Sequence, residues 1–308
     1  FVASGTMGNL TSVLTHCQRG DEMILGKQSH IFTYEVASAA AYGGIQPNTL
    51  PVQRDGTLDL GEIRAAIRGD NVHFPTTRLV CLENTQGSVG GIPVRKAYID
   101  EVGAIAHDHD MKLHIDGARI FNAATALGMT VKDLTAAADS VQFCFSKGLC
   151  APVGSMLVGS QDFIDRARRV RKSLGGGMRQ AGVLAAACRI ALHTMSKRLQ
   201  EDHDNARALA EGLAELPYFQ IDLDLVQTNM IYCTLSEDSP LTADEIAKRL
   251  LDYNILIRPG GTYGFRFVTH YWITRERVDQ VLDLLRGPPT SPTQALAAKE
   301  ALGVLDTE

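Results

Sequence analysis

The sequence has few of the features that mark secreted or membrane proteins. Its six cysteines form no CxxC pair, so they favour neither a zinc site nor a disulfide framework and indicate a reducing compartment. No apolar run approaches the roughly 18 residues of a membrane span, and the start lacks the basic and then apolar plan of a secretory signal. We therefore expect a cytoplasmic protein without a membrane partner.

The chain also has only a small excess of charge of one sign. The 30 basic and 35 acidic residues give a formal net charge of −5, and no Lys/Arg tract occurs. A basic patch is the usual footprint of nucleic-acid binding, so we expect no nucleic-acid partner. What the chain does have is apolar content: 45% of its 308 residues are hydrophobic, which is enough to bury a sizeable core.

Short apolar segments alternate with helical patterns as far as residue 172. The segments are EMIL, RLVCLEN, KLHID, SVQFCF and GSMLVG, and the last two are close enough to pair. Between the segments, apolar residues recur at the spacing of one helix face, as in Leu10, Val13, Leu14 and Cys17. This alternation predicts an α/β fold whose large domain has a mainly parallel sheet flanked by helices.

The rest of the chain predicts a smaller domain. A helical connector from Met178 to Leu216 closes the large domain, which we place at residues 1–210. Residues 211–287 predict a small C-terminal α/β domain, and residues 288–308 a tail. The predicted strands of the small domain are QIDLDL, NMIYCTL, ILIRP and FRFVTHYWI, and its predicted helices are TADEIAKRLLDY and RERVDQVLDLL.

Polar residues directly follow several predicted strands, at the edge where open parallel sheets bind ligands. Asp116 ends KLHID, and Ser146 and Lys147 follow SVQFCF. A lysine that loses solvation at a strand end has a lowered pKa and can attack a carbonyl, whereas a neighbouring carboxylate can keep a heteroaromatic nitrogen protonated. Pyridoxal phosphate requires both groups at once. The simpler alternative is an ion pair between Asp116 and Arg119 and an exposed Lys147.

Two further motifs fit an anionic aromatic cofactor. Gly5 and Thr6, in SGTMGN before a predicted helix, would form a phosphate site at the helix N-terminus. His30 could stack on an aromatic ring and exchange protons near neutral pH. Each motif also has a plain structural explanation, since small-residue turns and structural histidines are common.

Three more features of the sequence each allow two interpretations. Arg179 lies in a glycine-rich segment that would serve equally as an interdomain loop. Arg266 could bind a carboxylate or be a surface residue of an edge strand. The HDHD segment, residues 107–110, looks like a metal site, but residues two apart on a helix do not share a face, so we expect no metal.

Seven motifs together resemble the low-specificity threonine aldolases, which are fold-type I, aspartate aminotransferase-like enzymes of the β-eliminating lyase group. The motifs are SGTMGN, GDEMILGKQSHIFTYE, ENT, HIDGARIFNA, FSKGLCAPVGS, GGGMRQAG and RFVTHYWI, and they span nearly the whole chain to residue 287. The resemblance implies cleavage of β-hydroxy-α-amino acids such as threonine, allo-threonine and phenylserine to glycine and an aldehyde. It also implies a homo-oligomer, usually a tetramer built from close dimers.

The resemblance implies roles for single residues. Lys147 would form a Schiff base with pyridoxal phosphate, Asp116 would pair with the pyridine nitrogen, and His30 would stack on the ring; these three are the predicted catalytic residues. Arg266 would bind the substrate carboxylate. The implied cofactor contacts are Gly5, Thr6, His30, Asp116, Arg119, Ser146, Lys147 and Arg179, the last of them from a neighbouring subunit.

Two departures from the family pattern leave points open. Gln86 follows ENT where family members commonly have His; a glutamine can hydrogen-bond a substrate hydroxyl but is no base at neutral pH. The preference between threonine and allo-threonine is therefore open, and so is the base for the hydroxyl proton, either His30 or an ordered water. Family members also carry an upstream segment with an RSDT-like motif that contributes to the active site, and whether such a segment belongs before FVASGTMGN is open.

Other functions remain possible alternatives. An amino-acid racemase, a β-eliminating lyase or a hydroxymethyltransferase-like enzyme would share the cofactor and the fold. A non-catalytic α/β binding protein is a further alternative, which the presence of both Lys147 and Asp116 disfavours.

Overall fold

A computed structural model describes residues 1–260 and 264–286. Its internal contacts divide the chain between Gln200 and Glu201, ten residues before the division predicted after residue 210. The exact bounds of the domains stay a prediction, and the predicted tail at 288–308 lies outside the described residues. Within the two described ranges, no helix has the length and apolar content needed to cross a bilayer.

The first unit contains a six-stranded sheet in the order β2-β1-β3-β4-β5-β6, with helices packed on it. Strands β1 to β5 are parallel, and β6 is antiparallel to β5. The strands are β1 (Glu22–Gly26), β2 (Gln46–Leu50), β3 (Thr77–Glu83), β4 (Lys112–Asp116), β5 (Ser140–Cys144) and β6 (Ser155–Gly159). The predicted fold class and all five apolar segments of this unit are confirmed.

The helices of this unit begin with α1, whose N-cap Ser4 accepts a hydrogen bond from the backbone N–H of Met7. The helices are α1 (Gly5–His16), α2 (His30–Thr33), α3 (Ser38–Gly43), α4 (Leu60–Ala66), α5 (Lys96–Asp108), α6 (Ile120–Ala126), α7 (Val131–Leu134), α8 (Gln161–Ser173) and α9 (Gly182–His193). Helix α10 (Leu199–Ala214) begins here and continues into the second unit.

Alternation of side chains along the strands gives the sheet two different faces. One face carries residues such as Ile24, Val80 and Leu113, which belong to the largest apolar cluster. On the opposite face, β1 and β3 present apolar residues such as Met23 and Leu25, which cluster with residues of α1 and α3. The same face of β4 and β5 is polar instead, and it is there that α1 meets the candidate site.

The strand that sequence patterns miss is β2. Its residues, QPNTL, have no apolar run and no strict alternation, and they include a proline. It lies at the edge of the sheet, in parallel register with β1 from Glu22 to Gly26. An edge strand tolerates proline because one side of its backbone needs no partner, so pairing rather than local preference produces this strand.

The second unit contains a three-stranded antiparallel sheet in the order β7-β8-β9. Its elements are β7 (Phe219–Gln220), β8 (Met230–Leu235), α11 (Ala243–Leu251), β9 (Phe265–Val268) and α12 (Arg275–Arg286). Both predicted helices and the predicted strand NMIYCTL are present.

Two strand predictions in this unit are wrong. QIDLDL pairs only through β7 and then turns into a short 3₁₀ helix at Leu223–Leu225, because the side chain of Asp222 accepts a hydrogen bond from the N–H of Asp224. ILIRP forms no strand and contributes a single bridge, from Pro259 to Phe265.

A buried carboxylate anchors the edge of the sheet where the strands begin. Glu22, fully buried at the start of β1, accepts hydrogen bonds from Arg68, Gln46, Asn48 and Thr77. The guanidinium Nε of Arg68 lies 3.2 Å from its Oε1. A buried carboxylate is tolerated only where such donors replace its water.

We expect Glu22→Gln to lower the free energy of unfolding by about 2–4 kcal/mol. Arg68 loses its anionic partner, and the new side-chain NH₂ group lies against hydrogen-bond donors where Glu22 had an acceptor oxygen. Urea denaturation followed by circular dichroism measures the change. The exposed Glu101→Gln is the control, with an expected change within about 0.5 kcal/mol. Equal stability of the two variants would contradict this account of Glu22.

Candidate active site

The carboxyl ends of β3, β4 and β5 bring the main predicted residues to one edge of the sheet. Glu83, the last residue of β3, lies beside Asp116, the last residue of β4, and Asp116 lies beside Gln142 on β5. Lys147 is half-buried in the turn just after β5, where its carbonyl accepts a hydrogen bond from Cys150. Parallel pairing thus brings Asp116 and the lysine turn to adjacent strand ends.

His30 joins this edge from the N-terminus of α2. Its backbone N–H donates to Oε2 of Glu83 (2.8 Å), and its ring Nδ1 lies 2.9 Å from Oε1 of Glu35. The hydrogen bond to the Glu35 carboxylate raises the pKa of His30, against which burial and the positive charge of Lys147 act. A ring nitrogen of His30 lies within 4.8 Å of a carboxylate oxygen of Asp116, and the turn that carries Lys147 follows the neighbouring strand β5.

Asn9 of α1 links two carboxylates of this cluster. Its Nδ2 lies 2.8 Å from Oε1 of Glu35 and 2.9 Å from Oδ2 of Asp116, and all three side chains are almost fully buried. The pKa of Glu35 is raised, chiefly by burial, although the hydrogen bonds from His30 and Asn9 act to lower it. Sequence reasoning missed Asn9 and Glu35, although both lie inside the motifs that carry the family resemblance, at the ends of SGTMGN and HIFTYE.

A buried polar network extends from Asn9 between α1 and the sheet. His114 places Nε2 3.1 Å from Oδ1 of Asn9, and its Nδ1 lies 3.0 Å from Oγ of Ser12 and 2.9 Å from Oγ of Ser140. The hydroxyl of Ser140 also lies 2.8 Å from Nε2 of His16. Burial lowers the pKa of His114 to about 3 and that of His16 to about 4, so both rings are neutral near pH 7.

Glu83 organises the loop after β3. Burial, together with the negative charge of Asp116, raises its pKa to about 7. Its Oε1 accepts the N–H of Gly87 (2.9 Å), and its Oε2 lies 3.4 Å from Nε2 of Gln86. Glu83 therefore ties this loop to His30, whose N–H it also accepts.

Gln86 has its amide oxygen already engaged. Oε1 accepts the N–H groups of Ser88 (2.8 Å) and Val89 (3.2 Å), and the side chain is buried. Since Nε2 also donates to Glu83, one amide N–H is left for a substrate hydroxyl, and the predicted contact stays a prediction.

The donor set does not favour a metal. One ligand atom from each of His30, Glu35 and Asp116 lies within 4.8 Å of the other two, which is the only such three-residue group in the described part of the chain. The amide nitrogen of Asn9 already donates to both carboxylates. A cation there would have to displace this amide, so the geometry favours hydrogen bonding.

The residues fit an anionic ring cofactor. Gly5 and Thr6, both half-buried, open α1, and the N–H groups of a first helical turn have no partner within the helix. A Cβ at Gly5 would lie 3.1 Å from Sγ of Cys144, so glycine allows α1 to approach β5 closely. Oε2 of Glu35 and the hydroxyl of Thr85 are buried without a hydrogen-bond partner among the described residues. Unpartnered polar atoms of this kind indicate a site that a ligand completes.

The other predicted contacts lie on different elements. Arg119 is the half-buried N-cap residue of α6, whereas Ser146 and Arg179 are exposed in loops of the same unit. Arg266 is exposed on the edge strand β9 of the second unit, opposite Tyr232. Their predicted roles stay predictions.

Solved structures establish the fold class. The chain superposes on a putative L-allo-threonine aldolase from Listeria monocytogenes with a TM-score of 0.76 at 19% identity, covering 92% of this chain and 80% of that one. A threonine aldolase of Leishmania major gives 0.77 at 20% identity, covering 92% and 82%. At such identities the likeness shows the fold alone.

The sequence comparisons identify the family. Residues 1–236 match the family model described as Beta-eliminating lyase, and the chain belongs to this family. It is 50% identical over 285 residues to a probable low-specificity L-threonine aldolase of Arabidopsis thaliana, covering 92% of this chain and 80% of the relative. It is 42% identical over 281 residues to the low specificity L-threonine aldolase of Escherichia coli K12, covering 91% and 81%. The resemblance drawn from the seven motifs is confirmed.

We expect acid to destabilise the protein through its buried histidines. The pKa of His114 is about 3 in the fold against an ordinary 6.5, so below pH 6.5 the unfolded chain binds the extra proton and stability falls as the pH drops towards about 3. Urea denaturation between about pH 8 and about pH 5 measures this loss, which His114→Gln should reduce. The exposed His73→Gln should retain it. An unchanged pH dependence in His114→Gln would contradict the assignment.

Proposed function

We propose that the protein cleaves β-hydroxy-α-amino acids, threonine and allo-threonine among them and phenylserine as a further candidate, to glycine and an aldehyde with pyridoxal phosphate. Relatives at 42% and 50% identity bear the name low-specificity L-threonine aldolase, which supports a carbon–carbon lyase. The observation that carries the proposal is the position of Asp116 and of the Lys147 turn at adjacent strand ends, with a ring nitrogen of His30 within 4.8 Å of an Asp116 oxygen.

Pyridoxal phosphate, when bound, supplies an electron sink for the charge that a broken Cα bond leaves behind. The amine of Lys147 would hold it covalently, and Gly5 and Thr6 would bind its phosphate at the start of α1. Asp116 would accept a hydrogen bond from the ring nitrogen. Its carboxylate is already fixed by Asn9 and by the N–H of Ala118 (3.2 Å from Oδ1).

The proton of the substrate hydroxyl requires an acceptor before the Cα–Cβ bond can break. Nδ1 of His30 is engaged with Glu35, which leaves Nε2 as its proton-accepting atom. We propose His30 or an ordered water as this base. Arg266 would bind the substrate carboxylate.

The assembly and location extend the proposal. We propose a homo-oligomer, a tetramer of close dimers, in which Arg179 reaches the phosphate of a neighbouring subunit. Exposed apolar side chains support an interface: Tyr34 is 64%, Val36 92% and Tyr42 69% exposed. All six cysteines are free, in keeping with a cytoplasmic location.

β-Elimination is the second candidate, because the family model bears that description. A racemase or a hydroxymethyltransferase-like enzyme would use the same residues. Product analysis separates these reactions, since only the aldol cleavage of threonine gives glycine and free acetaldehyde. The most informative assay offers L-threonine, L-allo-threonine, phenylserine and their D-isomers and measures aldehyde and glycine.

We expect the protein with pyridoxal phosphate to absorb visible light, and Lys147→Ala to lose the lysine-dependent band. Aldehyde formation from threonine should fall by roughly 10³-fold or more, because the covalent attachment is lost. Lys132→Ala, at an exposed lysine, should leave both properties unchanged. An unaltered protein that is colourless and does not take up the cofactor would contradict the proposal.

We expect Gln86→His to change the ratio of kcat/KM for L-threonine and L-allo-threonine by roughly fivefold or more, because an imidazole exchanges protons with a hydroxyl and an amide does not. Aldehyde release from each isomer measures the ratio. Gln18→His, at an exposed position, is the control. The same ratio in both variants would show that residue 86 does not contact the hydroxyl.

A further inference from the structure

Both hydrogens of the Asn9 amide nitrogen are committed to carboxylates. Nδ2 lies 2.8 Å from Oε1 of Glu35 and 2.9 Å from Oδ2 of Asp116, and the side chain is 1% exposed. An amide nitrogen has two hydrogens, so these two acceptors use its full donor capacity. One side chain on α1 therefore serves the carboxylate assigned to the ring nitrogen and the carboxylate that contacts His30.

The orientation of the Asn9 amide and the tautomer of His114 are linked. Nε2 of His114 lies 3.1 Å from Oδ1 of Asn9, so this nitrogen must carry the hydrogen when Asn9 faces the carboxylates with its amine. Nδ1 of the neutral ring then accepts from the hydroxyl of Ser140 at 2.9 Å or of Ser12 at 3.0 Å. A flipped amide would place its oxygen against two carboxylates and its amine against an N–H donor.

We propose that Asn9 is a positioning residue that holds Asp116 and Glu35 in place as hydrogen-bond acceptors, and that the Nε2–H tautomer of His114 supports the orientation in which it does so. The inference rests on the proposed function, because Asp116 is taken as the partner of the cofactor's ring nitrogen. Asn9 does not touch the reacting atoms. It acts through Asp116 on the ring nitrogen and through Glu35 on His30.

Four variants test the arrangement. Asn9→Asp keeps the shape but places a third carboxylate group against Asp116 and Glu35. Asn9→Leu removes the donors without adding charge. His114→Gln keeps an N–H donor at the position of Nε2, whereas His114→Asn reaches only the position of Nδ1 and loses the bond to Asn9. The two His114 variants form a matched pair that differs in the donor to Asn9.

Cofactor titration of each full-length variant gives the decisive readout. Dissociation constants are measured by absorbance for pyridoxal phosphate and for an analogue with carbon in place of the ring nitrogen. We expect Asn9→Asp, Asn9→Leu and His114→Asn to bind pyridoxal phosphate roughly tenfold more weakly, and His114→Gln to stay within about threefold of the unaltered protein. For the carbon analogue, every variant should lie within about threefold, because Asp116 has no ring nitrogen to hold.

The outcomes distinguish a failure of the proposed role of Asn9 from a failure of the proposed aldolase function. Equal weakening of both ligands, or equal behaviour of His114→Gln and His114→Asn, overturns the positioning role of Asn9. Should the Asn9 variants fail to fold by circular dichroism, the His114 pair decides alone. An unaltered protein that binds pyridoxal phosphate but forms no aldehyde from any of the β-hydroxy amino acids overturns the proposed aldolase function and leaves the role of Asn9 standing.

Discussion

The hydrogen bonds from Asn9 to Asp116 and Glu35 are the interaction on which the geometry of the site depends. Oxygen atoms of the two buried carboxylates lie within 4.8 Å of each other, and buried carboxylates are costly without hydrogen-bond donors. One amide supplies a donor to both. The site therefore keeps a hydrogen-bonded carboxylate at the end of β4 and another beside His30, although both side chains are almost fully buried.

The need for hydrogen-bond donors near these carboxylates explains why the face of the sheet that packs on α1 is apolar at some strands and polar at others. Beneath β1 and β3 the face is apolar, with Met23 and Leu25, whereas β4 and β5 present His114 and Ser140. Helix α1 lies so close to β5 that a Cβ at Gly8 would be 2.5 Å from Cγ of Gln142. Buried polar groups are costly when unpaired, so this layer is stable only because its members bond one another.

The residues at the ends of β3 and β5 have different roles. Glu83 on β3 accepts the backbone N–H groups of His30 and Gly87 with its two oxygens, and so holds the start of α2 and the loop after β3. The turn after β5 carries Lys147, and the end of β5 is adjacent to the end of β4, where Asp116 lies. The fold alone does not specify the reaction, because the loops at the strand ends can vary while the sheet stays in place.

The sequence by itself determined the α/β class, the five apolar strands of the first unit and the family, because these follow from local periodicity and from motifs that are contiguous in the chain. Only the tertiary structure decided that QPNTL forms a strand, that ILIRP does not, and that Asn9 meets Glu35 and Asp116. Strand pairing depends on a partner elsewhere in the chain. The contacts of Asn9 join residues 26 and 107 positions apart, a distance at which no local pattern specifies which polar groups will share a hydrogen bond.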